Sequence, residues 1–340
     1  MISLDSILDG VSCVGICGHV KPDGDAYGSC MGLYLFLKEN YPKVHATVFL
    51  EDNYSDSFRF VACSGDVVHD YPKREPFDVF FALDSSDLQR LGKSLGYFNE
   101  AKKTVVIDHH VSNRGFGMID EIQPDASSTS ELIALLIGKD RITKQIAEPL
   151  YMGIAHDTGI FQYSCTSSRT MTVGGWLMDT GIDFSRICDE TFFLKTYHQN
   201  QILGRALTES ILMLDGKMIF SSVRFKDMEF YQIEAKDLDG IVQQLRVTRG
   251  VEVAVFLYEI SPRVFKVSMR SNGIVDVSKI GLFFQGGGHV RAAGCTMEGD
   301  IHDVVNNIAY QVEKQLACGN DCESVENSTL TGSENVQIPE

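Results

Sequence analysis

Eight Asp and His residues, gathered in four short segments, carry most of the chemistry in this sequence. They are His19, Asp23 and Asp25 in H-V-K-P-D-G-D, Asp84 in L-D-S-S-D, Asp108, His109 and His110 in V-I-D-H-H, and Asp157 in A-H-D-T-G. Singly, each has an ordinary explanation: an Asp after a strand is a turn former or helix cap, and a lone His is a satisfied structural residue. Four such segments together are hard to produce by capping alone. Carboxylates that converge within ~4–6 Å raise one another's pKa unless a cation intervenes. Hard oxygens and imidazoles, with no thiolate at corresponding positions, favour Mn²⁺ or Mg²⁺ over structural zinc. Six candidate ligands exceed what one ion needs once waters are counted. Two ions bridged by one carboxylate fit better, and ion pairs ~3.5–4 Å apart serve in-line attack on phosphorus.

A second segment, F-F-Q-G-G-G-H-V-R-A-A-G, runs from Phe283 to Gly294. Three glycines alone make a tight turn. Here His289 follows at once and a helix-compatible A-A-G comes next, so the glycines offer backbone N–H groups to a phosphate. Arg270, in S-M-R-S-N, ends a preceding strand and is suited to a bidentate phosphate grip.

The elements that must position these groups follow from hydrophobic period. Ser12–Cys17, Val44–Leu50, Phe77–Leu83 and Thr104–Ile107 are short apolar runs that predict strands, separated by amphipathic stretches. That alternation predicts a parallel sheet, whose carboxyl ends share one edge. Ser127–Ser130 supplies cap chemistry for the helix E-L-I-A-L-L-I, and another helix is predicted from about Thr143 to Ala155. Residues 170–213 are helical and strand-poor. Met218–Phe225, Glu252–Ile260 and Val264–Arg270 predict strands of an antiparallel or mixed sheet, and Asp303–Cys318 a closing helix. The expected fold class is α/β, with an N-terminal mostly parallel sheet flanked by helices, a helical connector, and a smaller C-terminal α/β domain with a mixed sheet.

Composition sets the outer limits. A chain of 340 residues, 44% hydrophobic and 22% charged, is an ordinary globular protein of two or three domains, not collagen, coiled coil or a disordered chain. No apolar run approaches the ~20 residues of a membrane span, and the N-terminus lacks the marks of a signal peptide. A soluble, cytoplasmic protein is expected. The nine cysteines form no C-x-x-C pair and suit reduced thiols, with Cys165 and Cys295 read as core residues. A net charge of −16 without basic blocks argues against coating duplex DNA or tracking a long strand. A small phosphate-bearing substrate is still compatible with it. Five of the acids fall in the polar, aperiodic residues 318–340, expected to be a disordered tail.

These motifs, in this order, resemble the DHH phosphoesterase superfamily, and G-G-G-H-V-R-A-A-G is similar to the signature of its first type of associated C-terminal domain. The resemblance covers residues 10–317. It is closest to the bacterial oligoribonuclease/3′-phosphoadenosine 5′-phosphate (pAp) phosphatase group, which includes stand-alone phosphodiesterases of cyclic di-AMP and its linear product pApA. The resemblance implies a catalytic metal-binding domain over 1–190, a connector over 191–213, and a substrate-binding domain over 214–317. It implies one Mn²⁺ on His19, Asp23 and Asp84 and a second on Asp25, Asp84, His109 and Asp157, with Mg²⁺ or Co²⁺ as substitutes. Asp108 would orient an imidazole, and His110 would face the scissile phosphate. Arg270, Gly287, Gly288 and His289 would meet the substrate. The family commonly has four glycines before that His, and Gln285 takes the first position here. The implied function is Mn²⁺-dependent hydrolysis of cyclic di-AMP, pApA or nanoRNA to mononucleotides, in a homodimer. The alternatives are pAp phosphatase as the main activity and, from another class, a nucleotide-binding sensor without catalysis. A pyrophosphatase or polyphosphatase fits less well, because those lack the G-G-G-H segment.

Overall fold

The computed structural model describes residues 2–317 with side chains and follows the last helix to Thr329. The expectation of a disordered tail over 318–340 lies outside the fully described residues. The chain divides into two compact units, Met1–Leu194 and Lys195–Glu340.

The first unit is built on five parallel strands: β1 (Cys13–Cys17), β2 (His45–Phe49), β3 (Val79–Leu83), β4 (Thr104–Asp108) and β5 (Ile119–Ile122), in the order β2-β1-β3-β4-β5. Its helices are α1 (Leu4–Leu8), α2 (Gly24–Asn40), α3 (Ser94–Glu100), α4 (Thr129–Ile137), α5 (Lys144–Asp157), α6 (Ser168–Asp179) and α7 (Phe184–Cys188). The central strands are apolar on both faces because both faces are covered. Val79, Phe81, Val105 and Ile107 pack with α2, α4 and α5, whereas Phe80, Ala82 and Val106 pack with Tyr97 and Phe98 of α3. Strand β5 was not legible in advance. It is a four-residue edge strand, I-D-E-I, partly solvated along its length and without an apolar run.

The second unit carries six strands: β6 (Ile211–Met213), β7 (Met218–Val223), β8 (Val253–Ser261), β9 (Val264–Ser271), β10 (Gly287–His289) and β11 (Ala292–Glu298). They are ordered β10-β11-β9-β8-β7-β6, with β7 and β8 parallel and the other pairs antiparallel. Its helices are α8 (Tyr197–Thr208), α9 (Phe225–Tyr231), α10 (Ile241–Arg246), α11 (Val277–Phe283) and α12 (Ile301–Thr329). One sheet face, with Val255, Leu257, Val267 and Met269, is sealed by α11 and α12. On the other, Ala254 and Phe256 pack under α8 to α10. The expected α/β architecture with a parallel and a mixed sheet is therefore the observed one. One local expectation fails: Ala292, Ala293 and Gly294 are strand, not helix, because they pair with Arg270, Met269 and Ser268 of β9. Among the described residues, no helix is long and apolar enough to cross a membrane.

Candidate metal centre

The carboxyl edge of the parallel sheet collects the four segments. His19 lies two residues past β1, Asp84 directly follows β3, Asp108 ends β4, and α5 ends on Asp157. His19 donates Nδ1–H to its neighbour Val20 O at 2.8 Å, which turns Nε2 toward Asp23 Oδ2 and Asp84 Oδ2, each 3.5 Å away. Asp23 has two duties, one per oxygen. Its Oδ1 caps α2 by accepting the N–H groups of Asp25 and Ala26, while Oδ2 faces His19. The cap explanation and the ligand explanation are thus compatible.

Asp84 holds a left-handed backbone, φ +53°, uncommon outside glycine and tolerated best by Asn and Asp. Its Oδ2 faces His19, and its Oδ1 lies 3.4 Å from His109 Nε2. His109 Nε2 is also 3.1 Å from Asp157 Oδ2 and 4.0 Å from Asp25 Oδ2. Three overlapping groups result: His19–Asp23–Asp84, Asp84–His109–His110 and Asp25–His109–Asp157. Within each, the candidate ligand atoms lie within 4.8 Å of one another. Asp108 is fully buried and accepts His110 Nδ1–H at 2.8 Å and Asn113 Nδ2–H at 2.7 Å, so the imidazole it orients is that of His110.

Burial and like charge strain this cluster. Asp25 is pushed well above the usual carboxylate range, first by burial and then by the charges of Asp84 and Asp157. Asp157 rises to about 6, again mainly through burial, with Asp84 adding to it against the His109 hydrogen bond. Burial disfavours the imidazolium of His109, yet hydrogen bonds to Asp157 and Asp84 and the nearby charges raise it to about 12. The donor set is oxygen and imidazole nitrogen, which fits hard divalent cations, and a cation would offset the like charge of the carboxylates.

Three positioning devices were not anticipated. Asp25 lies on the N-terminus of α4, accepting Thr129 N–H at 2.6 Å and Ser130 N–H at 2.8 Å. Thr129 Oγ1 also donates to Asp84 Oδ1 at 3.2 Å, so one residue steadies two carboxylates. Four consecutive hydroxyl residues, where a cap needs one, were the available signal. Finally, Gly24, Gly28 and Gly32 line the face of α2 that meets α5, where a Cβ would strike His156, Pro149 O and Leu150 respectively. Replacing Thr129 by Val should cut hydrolytic turnover about tenfold, the loss of a hydrogen bond to a charged group. Thr129→Ser should stay near wild type; equal loss in both variants would exclude the hydroxyl's role.

In the second unit, register assembles the phosphate candidates. Arg270 pairs with Ala292, which pairs with His289, so Arg270 and His289 flank a small residue on one face. The next row is Ser268, Gly294 and Gly287. The glycines divide between two roles. Gly288, φ +143°, could not carry a Cβ without striking Ala292 O and Ala293, and at Gly286 one would strike Gly294 O. These two serve the hairpin itself. At Gly287 a Cβ would meet open space, so its smallness leaves room for a ligand. Cys295 is core, but Cys165 is exposed, its S–H 3.6 Å from the backbone oxygen of Asp157. The loop after α5 carries it to the surface beside Asp157 instead of into the core.

Residues 13–154 match the DHH family, N-terminal domain, and residues 215–317 match the DHHA1 domain. The bifunctional oligoribonuclease and PAP phosphatase NrnA of Thermus thermophilus is 31% identical over 314 residues, spanning 88% of this chain and 89% of the relative. The chain belongs to the DHH family. Membership makes it a phosphoesterase hydrolase. NrnA of Bacillus subtilis is 25% identical over 287 residues, covering 82% of this chain and 87% of its own. The crystal structure of an exopolyphosphatase-related protein from Bacteroides fragilis shares the fold at a TM-score of 0.85 and 26% identity, over 93% of this chain and 96% of that one.

Proposed function

We propose that this member of the DHH family is a divalent-metal-dependent phosphodiesterase of short adenine-containing nucleotides: cyclic di-AMP, pApA and nanoRNA. The observation that carries the reading is the pair of Asp84 oxygens, one facing His19 and the other His109. His19, Asp23 and Asp84 would hold one ion, and Asp25, Asp84, His109 and Asp157 the other, with Mn²⁺ preferred. Bound there, divalent ions would lower the pKa of an intervening water and offset charge on the phosphoryl oxygens.

The chain's own residues supply the rest. Asp108 fixes Nδ1 of His110, leaving Nε2 to meet an oxygen of the scissile phosphate. Arg270 and His289 would grip a second phosphate across Ala292, with Gly287 in the next row leaving room for it and Gly288 shaping the hairpin that carries His289. The printed names of the NrnA relatives favour pAp phosphatase as a second activity of the same centre. A turnover panel of cyclic di-AMP, pApA, a short oligoribonucleotide and pAp with Mn²⁺ tests the reading. AMP release is expected, abolished by EDTA and restored better by Mn²⁺ than by Zn²⁺. Restoration by Zn²⁺ alone would contradict the ligand assignment, and no release from any of the four would end the nucleotide reading.

A further inference from the structure

A cavity of about 890 Å³ adjoins the Gly-rich segment, lined among others by Lys266, Phe283, Gln285, Gly287, Thr296 and Asn307. It lies beside the Arg270–Ala292–His289 row: Gly287 and Gly294 belong to both the next row and the cavity wall, and Lys266 pairs with Thr296 one row further on. Successive rows on one face are about 7 Å apart. Whatever follows a phosphate held at Arg270 and His289 therefore has this cavity within reach.

Two features of its wall suit a ligand. Phe283 ends α11 with 65% of its surface exposed. Gln285 occupies the position past the end of α11 where its own N–H bonds to Leu282 O and the Gly286 N–H to Gly281 O, the arrangement that usually ends on glycine. Its φ of +58° is strained for a residue with a Cβ. Glycine would carry this backbone at lower cost, as it would at Gln232, which leaves α9 by the same turn at φ +52°; Gln285 differs in that it lines the cavity.

We propose that this cavity binds an adenine base of the substrate, stacked on Phe283 and read along its edge by the Gln285 carboxamide. An aromatic face accepts any base. A carboxamide offers one donor and one acceptor side by side, the complement of adenine N7 and N6–H₂. Lys266 stands at the far side of the same floor, where it would meet a further phosphate. The inference rests on the nucleotide reading above and specifies which nucleotides are preferred.

Gln285→Gly gives the test, because stability and specificity should move in opposite directions. The melting temperature should rise by about 2–4 °C as strain is relieved. The ratio of kcat/KM for pApA over pUpU should fall about tenfold, the discrimination of one bidentate contact. Phe283→Ala should lower kcat/KM for both dinucleotides together, about tenfold. An unchanged A:U ratio in Gln285→Gly, with wild-type pApA turnover intact, would overturn the base site and leave the phosphodiesterase reading standing. A fall in melting temperature would remove its strain argument. Should the wild type hydrolyse no nucleotide, calorimetric binding of AMP against UMP still decides: equal affinities in wild type and variant would overturn it.

Discussion

Asp84→Asn should reduce hydrolysis of every substrate, including an activated diester such as bis-p-nitrophenyl phosphate, to below about a tenth of wild type, at least ~1.4 kcal/mol of barrier. Among the described residues, Asp84 is the one carboxylate with an oxygen toward His19 and the other toward His109, and an amide has one oxygen and no charge to offer. Its effect should exceed that of changing Asp23, whose Oδ1 is already committed to capping α2. The shape of the residue is kept, and its amide N–H still bonds to Ile107 O, so the fold should survive. Elemental analysis should show Mn²⁺ lost from both positions at once. A variant that retained two equivalents of Mn²⁺ and more than a tenth of its turnover would sink the bridging assignment.

The legible part of this molecule was the part written in local pattern. Apolar runs ending in Asp or His announced β1, β3 and β4 and the edge they share, because a buried parallel strand must be apolar on both faces. What stayed hidden depends on partners distant in sequence. Thr129 has the look of a cap residue, and only the approach of Asp25, 104 positions earlier, reveals that its N–H holds a carboxylate. Cys165 has the composition of a core residue, but its loop is anchored by Thr158, whose Oγ1 accepts the Phe161 N–H, and the thiol is carried outward. The Gly-rich segment gave a mixed signal because its glycines answer to different demands: Gly286 and Gly288 to the hairpin, Gly287 to open space. Strand β6 is hidden for a different reason: Ile211–Met213 is apolar, but it is only three residues long and lies exposed or half-buried at a sheet edge.

The sharpest consequence of these distant contacts concerns Gly28. It lies one turn beyond Asp25 on α2, against α5, whose last residue is Asp157. A Cβ there would stand 2.4 Å from Pro149 O and 3.1 Å from Gly153 Cα, both backbone atoms that cannot rotate away. Two opposed effects follow from Gly28→Ala. Helix propensity favours Ala by about 1 kcal/mol, and overpacking against immovable backbone costs about 3 kcal/mol, the upper end of its usual range. Packing wins, for a net loss of about 2 kcal/mol and a fall of roughly 4–8 °C in melting temperature for a unit of this size. Because α2 and α5 can relieve the clash only by separating, Asp25 and Asp157 should part and the Mn²⁺ content fall with the stability. Gly175→Ala supplies the control, since that glycine is also inside a helix, α6, but a Cβ there meets nothing within 4 Å. It should raise the melting temperature and leave metal content alone. If Gly28→Ala behaved like Gly175→Ala, the two helices would have room to spare, and the close α2–α5 approach could not be what holds Asp25 and Asp157 together.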